Sequence, residues 1–521
     1  MNSFSEKIHL TLEAPTEEHP LSDQERILQA LKDLGYPSVS MTLATLRGLY
    51  PLCRTQDWDI TVTLVHTPGQ TLLTAVEGGD TTAAHYGLAV DLGSTTVVMQ
   101  MIDMNTKAVL AEAKAMNGQI RFGDDILTRI IYAKDDPAHQ QELAAATQDT
   151  FLTLFQTLEA HCGISADHCA VMILSGNTTM IHFLLGLDAW TVFSSPYAPV
   201  TTAPGAFFGH EIGLAFSGVV YIIPAIANYL GGDITSGLLT TDFYKKDGLS
   251  VFFDIGTNGE LVLGNSSFLI AGAGAAGPAL EGGISRYGMR ACDTAIDSIR
   301  IEGASLTFTT IGNTRPAGIC GSGIIDLIAQ MRLNGWIDIS GKLDPEASDR
   351  IVFLPEAQEY AAVYATAEES AHGEMLYFSQ TDILQYLDTK AAAHTMVDCL
   401  LEASGFTEND ITAFYTAGAF GTYANLESAV TVGIFPDLPR ERFHCLQNSS
   451  LAGARELLLD KSRTDDIQYL LDTVYCIQFA SMPDFLIKMQ ASKFIPHTDM
   501  RMYPTVETTL STQTHKNNPF L

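Results

Sequence analysis

The sequence predicts an α/β protein built from two related halves, and two matching stretches of sequence predict it. Each stretch is a short apolar run, typical of a buried strand, that ends in an Asp-x-Gly-[Ser/Thr] turn: 88–96 (LAVDLGSTT) and 251–260 (VFFDIGTNGE). Further strand-like segments follow each turn before helical and strand patterns begin to alternate, which is typical of sheets covered by helices. The repeated order indicates duplication at the scale of a domain.

The composition of both turns suits phosphate binding. Glycine lets the backbone turn sharply, and backbone amides together with hydroxyl side chains can surround phosphate oxygens. Asp91 and Asp254, at the two strand ends, can hold a hydrated Mg²⁺, an ion that takes few carboxylates directly. We therefore expect ATP and Mg²⁺ in a cleft between the halves, although either aspartate alone is equally typical of an ordinary turn. The predicted phosphate-binding residues are Gly93, Ser94, Thr95, Thr96, Gly256, Thr257 and Asn258.

Two other glycine-rich turns are candidates for the same site. Asp233 follows two glycines at a predicted helix start, where a carboxylate can orient an attacking water or hydroxyl; the alternative is an ordinary helix N-cap. Gly418 and Gly421 follow a strand-like run and suit a backbone that lies close to adenosine, or else an ordinary strand-to-helix turn. Asp91, Asp233 and Asp254 are thus the predicted catalytic carboxylates, and the first and last are the predicted metal ligands.

Turn signals and periodicity divide the chain into four regions. Residues 1–84 form a small α+β region with a capping box at Ser22 and Glu25, and we predict a structural or docking role for it. Residues 86–247 are the first half of the main body, 249–505 the second, and 506–521 a tail whose last eleven residues we expect to be frayed.

Composition excludes several classes of function. The chain has 521 residues, of which 46% are hydrophobic, enough for two or three domains with full cores. A formal net charge of -31 argues against binding nucleic acid or an anionic membrane surface. We see no signal peptide, and no apolar run reaches the ~20 residues of a membrane span.

The cysteines point to a reducing cytoplasm. The eight cysteines are scattered and form no Cys-x-x-Cys pair. Cys162 and Cys169, each preceded by a histidine, could suggest a metal site, but their spacing fits no zinc or iron–sulfur pattern well, and a helix-to-strand connection is favoured.

The two Asp-x-Gly turns, the helix start at 318–323 (GICGSG) and the turn at 418–421 resemble the phosphate 1, phosphate 2, connecting and adenosine motifs of the acetate and sugar kinase/Hsp70/actin superfamily. More specifically, the chain resembles the reductive activators of corrinoid proteins, and residues 1–84 resemble the linker region of that family. The segments that carry this resemblance are 91–96, 117–125, 231–233, 254–260, 275–281, 286–290, 316–323, 417–421 and 448–454.

The resemblance implies a duplicated actin-like ATPase fold, with two ribonuclease H-like halves around the nucleotide and a small N-terminal linker domain. It implies that ATP and Mg²⁺ serve the reduction of an inactivated Co(II) corrinoid protein to Co(I), and it allows a homodimer. One departure is that no Cys-x4-Cys-x2-Cys pattern is present. We therefore expect no iron–sulfur cluster in this chain and a separate ferredoxin-like electron donor. A second departure is Ala419, where the family commonly has glycine.

Two other functions fit the same motifs. A small-molecule kinase of this superfamily would transfer phosphate to an acceptor near Asp233. An ATP-dependent binding module without enzymatic activity would bind nucleotide with negligible turnover.

Overall fold

The computed structural model describes residues 2–256, 258–274, 283, 285–418, 424–482 and 484–517. They form two compact units, one comprising 1–241 with 449–473 and the other 242–448 with 474–521. The first unit thus includes a segment, 449–473, that the linear boundaries expected from the sequence place in the second half.

The N-terminal region of the first unit is a four-stranded sheet with two helices. The strands lie in the order β1-β3-β4-β2. The strand-like runs 60–64 and 71–75 predict a hairpin, and they belong to the antiparallel pair β3–β4. The predicted capping box is confirmed, since the Ser22 hydroxyl accepts from the Glu25 amide and the Glu25 carboxylate accepts from the Ser22 amide. The elements are β1 (Ser5–Thr11), α1 (Asp23–Asp33), β2 (Val39–Met41), α2 (Leu43–Thr55), β3 (Asp59–Thr67) and β4 (Gln70–Gly78).

The rest of the first unit is built on a six-stranded sheet in the order β7-β6-β5-β8-β10-β9. Its central strand, β5, pairs antiparallel with β6 and parallel with β8, and its Leu88, Ala89 and Val90 are fully buried. The elements are β5 (Tyr86–Leu92), β6 (Thr96–Asp103), β7 (Val109–Met116), α3 (Ile126–Ala133), α4 (Pro137–Cys162), β8 (Cys169–Gly176), α5 (Thr178–Leu184), α6 (Trp190–Phe193), β9 (Gly205–Phe208), β10 (Val219–Ile222) and α7 (Gly232–Leu239).

The second unit contains a six-stranded sheet in the order β21-β20-β11-β12-β13-β22 and two three-stranded sheets. The segment near 336–378, whose mixed strand-like and loop-like sequence predicts an insertion, corresponds to the sheet β17-β18-β19. The elements up to residue 445 are β11 (Leu249–Ile255), β12 (Gly259–Asn265), β13 (Phe268–Gly274), β14 (Ala295–Glu302), β15 (Ser305–Thr310), β16 (Gly318–Ile319), α8 (Gly321–Leu333), β17 (Ile351–Leu354), β18 (Glu359–Ala365), β19 (Leu376–Ser379), α9 (Gln380–Ser404), β20 (Ile411–Ala417), α10 (Leu426–Val432) and β21 (Phe443–Cys445).

After β21 the chain returns to the first unit for two helices and then completes the second. Tyr503 and Val506 are buried in the second core. We expected residues 511–521 to be frayed, but a helix continues to Asn517, and 518–521 lie outside the described residues. The returning elements are α11 (Ser449–Leu459), α12 (Arg463–Thr473), β22 (Val474–Cys476), α13 (Phe485–Ala491) and α14 (Pro504–Asn517).

The predicted duplication is confirmed by strand order. In the first sheet, β5, β6 and β7 form an antiparallel meander, and β8 and then β10 extend the sheet parallel to β5. In the second, β11, β12 and β13 form the same meander, and β20 and β21 extend it parallel to β11. Both Asp-x-Gly turns therefore occupy the same position, at the end of the first strand of the meander.

The helix after the Gly318–Gly323 turn differs from the prediction. The apolar positions Ile324, Ile325, Leu327 and Ile328 predict an amphipathic helix, but α8 is buried on nearly every side, including Ser322 and Asp326. Its environment explains this, since it packs against both β14 and α10. Across the described chain, none of the helices combines the length and apolar character that a membrane crossing requires.

Close packing of α11 on α7 yields a first prediction. A Cβ added at Gly453 would overlap the carbonyl oxygen of Ser236, so we expect Gly453→Ala to lower the free energy of unfolding by about 1–3 kcal/mol, the usual cost of overpacking. Gly48 in α2 is the matched control, because a Cβ there meets no heavy atom within 4 Å. Gly48→Ala should raise stability by about 0.5–1 kcal/mol. Urea unfolding measures both, and equal effects of the two substitutions would contradict the packing.

Candidate functional site

Asp91 lies one residue before the end of β5, opposite Ser175 of the parallel strand β8. Its carboxylate is partly exposed and accepts a hydrogen bond from the Ser450 hydroxyl at 2.7 Å. Ser450 is in the first turn of α11, so this helix brings a donor to the aspartate from far along the sequence. The strand fixes the backbone of Asp91, and the serine fixes its side chain.

Three buried serines form a connected cluster behind Asp91. The Ser175 hydroxyl lies 2.9 Å from the hydroxyls of both Ser236 and Ser450. Ser236 on α7 also donates to the carbonyl oxygen of Ser450 at 2.9 Å. A strand and two helices are thereby joined by polar contacts under the carboxylate, and such a satisfied buried network holds its members in one arrangement.

The turn after Asp91 is held from behind by two side chains. Asn117 donates from its amide to the Gly93 carbonyl at 2.9 Å, and Arg129, which is fully buried, donates to the Ser94 carbonyl at 2.7 Å. The backbone amide of Asn117 also donates to the Thr95 carbonyl at 2.8 Å. A carbonyl oxygen repels a phosphate, and these three carbonyls are occupied by protein donors. This arrangement suits a turn that binds an anion through amides and hydroxyls.

Gly93 is required by the tightness of this turn. A Cβ on Gly93 would lie 2.5 Å from the carbonyl oxygen of Thr96. The turn joins β5 to β6 directly, so the carbonyl cannot move without disturbing the pairing of both strands. The predicted phosphate-binding residues Gly93, Ser94, Thr95 and Thr96 therefore form one rigid corner next to Asp91.

Asp233 lies in the first turn of α7, but it is not the N-cap that we considered as its alternative role. Gly231 is the N-cap, and Asp233 accepts from the amide of its neighbour Ile234 at 3.0 Å. Burial, and then the negative charge of Asp91, raise the pKa of Asp233 to about 7. A carboxyl group near half-ionisation at neutral pH can accept or release a proton during a reaction.

In the second unit, Asp254 occupies the position on β11 that Asp91 occupies on β5. It pairs with Glu260 of β12 and Ala417 of β20. The turn that follows is tight, since the Gly256 amide donates to the Asn258 carbonyl at 2.9 Å, and Asn258 is exposed. The predicted turn is therefore present around its described residues; Thr257 lies outside them.

Gly418 lies directly against Asp254. Its φ is +80°, and a Cβ there would be 2.6 Å from an Asp254 carboxylate oxygen and 2.6 Å from the Ile255 carbonyl. Both the backbone conformation and the space require glycine. The predicted adenosine contact of Gly418 stays a prediction, as does that of Gly421, which lies outside the described residues.

Sequence reasoning missed the residues that support the Asp91 turn. Ser175, Ser236 and Ser450 are far apart in the sequence, and no spacing rule connects them. Asn117 and Arg129 lie in or just after the segment 117–125, which drew attention only through the family resemblance. A buried arginine near a glycine turn leaves no periodic signal.

The hydrogen bond from Ser450 to Asp91 can be tested by stability. We expect Ser450→Ala to lower the free energy of unfolding by about 1.5–3 kcal/mol, the range for hydrogen bonds to charged groups. Ser449 is the matched control, because its buried hydroxyl has no hydrogen-bond partner among the described residues. Ser449→Ala should be nearly neutral in the same urea titration, and a similar loss in both variants would contradict the role of Ser450.

A five-strand order that occurs twice, each time with an Asp-x-Gly turn at the end of its first strand, defines the class. The protein has the actin-like fold of the acetate and sugar kinase/Hsp70/actin superfamily. More specifically, the chain belongs to the family of RACo, the reductive activator of corrinoid proteins. Three family models match it in succession: the RACo linker region over residues 1–83, the RACo middle region over 86–246, and the C-terminal domain of RACo, the ASKHA domain, over 248–507.

Individual relatives agree with the family. The solved structure of a reductive activator for corrinoid, iron-sulfur protein aligns with a TM-score of 0.87 and 32% identity, over 96% of this chain and 81% of that one. The corrinoid activation enzyme RamQ of Eubacterium limosum is 29% identical over 77% of this chain and 69% of its own length. The [Co(II) methylated amine-specific corrinoid protein] reductase of Methanosarcina barkeri is 26% identical over 73% of this chain and 71% of its own.

Proposed function

We propose that this protein is an ATP-dependent reductive activase, which helps to return a corrinoid protein from Co(II) to Co(I). The observation that carries the proposal is the match to a solved reductive activator over nearly the whole chain. The two curated relatives support it, since their names describe corrinoid activation and reduction of a Co(II) corrinoid protein.

We propose that the Asp91 and Asp254 turns bind the phosphates of ATP, with Mg²⁺. The donor chemistry fits, because each turn combines a strand-end carboxylate with a glycine corner, and oxygen ligands are those that Mg²⁺ takes. Asp91 and Asp254 would hold the hydrated ion, and the bound ion supplies positive charge that offsets the charge of the phosphates. Gly418 leaves the space that the Asp254 carboxylate occupies, since a Cβ at this position would overlap it.

Asp233 acts in this proposal as the group that accepts a proton from the attacking water. Its carboxyl is poised near neutral pH by burial and by Asp91, and a base works best when its pKa is close to the working pH. Water then attacks the terminal phosphate of ATP, and the products are ADP and inorganic phosphate.

The electron is supplied from outside this chain. We propose that a ferredoxin-like donor in the cytoplasm gives one electron to Co(II); the 521 residues contain no Cys-x4-Cys-x2-Cys pattern of a plant-type iron–sulfur cluster. ATP contributes by favouring a conformation of the activase that binds the corrinoid protein in a reducible state; such a shift requires differential affinity for the two states.

The test combines the full chain, a Co(II) corrinoid protein, ATP with Mg²⁺, and either reduced ferredoxin or a chemical reductant such as Ti(III) citrate. We expect the absorbance of Co(I) to appear only when ATP is present, and ATP hydrolysis to increase when the corrinoid protein is added. Formation of Co(I) with ATP and Ti(III) citrate, in the absence of ferredoxin, would show that the activase acts whichever reductant supplies the electron.

Two outcomes would contradict the proposal. Absence of Co(I) with both reductants, together with an unstimulated ATPase, would remove the activase function. Transfer of labelled phosphate from ATP to a small acceptor, rather than release as inorganic phosphate, would favour a kinase.

A further inference from the structure

A group of three ionisable side chains in the second unit, one buried and two partly buried, has no role in the proposed function. His394 and Asp398 are four residues apart on α9, and Glu408 lies in the short turn that precedes β20. One ligand atom from each, an imidazole nitrogen or a carboxylate oxygen, lies within 4.8 Å of the other two. His394 is only 1% exposed.

Two atoms of this group lack the partners that buried polar atoms normally have. Among the described residues, neither His394 Nε2 nor Glu408 Oε1 accepts or donates a hydrogen bond. His394 Nε2 lies 3.5 Å from Asp398 Oδ2, beyond good hydrogen-bond geometry. Unsatisfied buried polar atoms are rare and costly, so two that converge on one point indicate a missing ligand.

The other nitrogen of the His394 ring has a protein partner. Its Nδ1 lies 3.2 Å from the Tyr503 hydroxyl, which is also 3.5 Å from the Gly433 carbonyl. With Nδ1 protonated and donating to the tyrosine oxygen, Nε2 would present a lone pair to a bound ion, and metal-bound histidines usually donate their other ring N–H in this way.

Nearby lysines do not supply that cation by contact. The positive charges of Lys488 and Lys390 act on Asp398, but each lysine has its own partners. Lys488 forms an ion pair with Glu402 at 2.6 Å. Lys390 donates to the carbonyls of Ser492 and Phe494 at 2.7 and 2.9 Å.

We propose that His394, Asp398 and Glu408 bind a divalent transition-metal ion, and Zn²⁺ is the ion with which we would test the site. One imidazole and two carboxylates are ligands that such ions accept, and two carboxylates balance the charge of the ion. Donors around a tetrahedral Zn²⁺ lie about 3.4 Å apart, close to the observed separation of His394 and Asp398.

The metal would have a structural role. It joins α9 to the turn before β20, the strand that ends at Ala417, one residue before Gly418. The alternative is a proton shared among the three groups, and the experiment separates the two.

The test is a titration of the chelator-treated full chain with Zn²⁺ in excess Mg²⁺, followed by calorimetry and by metal analysis. We expect one bound Zn²⁺, an increase in the thermal midpoint on loading, and a visible absorption spectrum when Co²⁺ replaces Zn²⁺. Glu408→Gln and His394→Gln should each weaken binding by about 100-fold or more, and Tyr503→Phe by about 10-fold.

Asp388→Asn is the matched control, since Asp388 lies on the same helix but forms an ion pair with Lys493. It should bind Zn²⁺ like the original protein. Unchanged binding in Glu408→Gln, or no Zn²⁺ binding and no thermal shift in the original protein, would overturn the proposal and leave the shared proton. If a glutamine variant does not fold, the titration and thermal shift of the original protein still decide.

Discussion

Asp91→Asn should lower kcat for ATP hydrolysis by about 100-fold or more, the loss typical when one charged or hydrogen-bonding group of an active site is removed. The substitution removes the negative charge that we propose for holding Mg²⁺ but keeps the shape of the side chain. Its amide oxygen can still accept the hydrogen bond that Ser450 donates to Oδ1. The fold around β5 should therefore survive, and the loss should be one of chemistry.

The control for this variant is Asp149→Asn, which removes an exposed carboxylate from α4 in the same unit. We expect this variant to hydrolyse ATP at the original rate, with unchanged thermal unfolding. Phosphate release at saturating ATP and Mg²⁺ measures both variants. If Asp91→Asn hydrolyses ATP as fast as the original protein, Asp91 is only the turn residue that its sequence context also permits.

The fold could be predicted because its signals are local and repeated. The apolar run before Asp91 and the one before Asp254 each report a buried strand, and the glycine after each reports a sharp turn. Two matching copies constrain the topology far more than either does alone, and the strand order confirms them. The capping box at Ser22 is likewise contained within four residues.

The features that the sequence did not predict correctly depend on contacts between distant segments of the chain. Hydroxyl–carboxylate pairs such as Ser450 and Asp91 follow from how α11 packs in the first unit, which no spacing rule describes. The burial of α8 depends on neighbours on more than one side, so its amphipathic pattern was a poor guide. The alternative interpretation of Asp233 as the N-cap of α7 was wrong, because Gly231 occupies that position. Where tertiary contacts determine the environment of a residue, the local sequence pattern predicts its structure poorly.

Asp233→Asn should remove a pH dependence of ATP hydrolysis. The ionised carboxylate is the form that accepts a proton, so kcat in the original protein should rise with pH and reach half its maximum near the pKa of about 7. The variant cannot ionise at this position. Its rate should be lower by about 100-fold or more and flat across the same range.

Stability gives the same prediction an independent check. The folded protein holds the Asp233 proton more tightly than the unfolded chain, whose carboxyl has the ordinary value of 3.8. Stability therefore falls as pH rises from that value toward about 7, and the fall is complete above it. Asp233→Asn lacks this fall, so its thermal midpoint relative to the original protein should increase between about pH 5 and about pH 8.

The cause of the raised pKa also predicts an effect of Mg²⁺. The second largest cause, after burial, is the negative charge of Asp91, and a cation bound to Asp91 would offset that charge. The midpoint of the pH dependence of stability should therefore move to lower pH as the Mg²⁺ concentration rises in the original protein. Asp91→Asn should lower it without Mg²⁺ and leave it insensitive to the ion. If the midpoint changes neither with Mg²⁺ nor in Asp91→Asn, Asp233 does not titrate beside the metal-binding carboxylate.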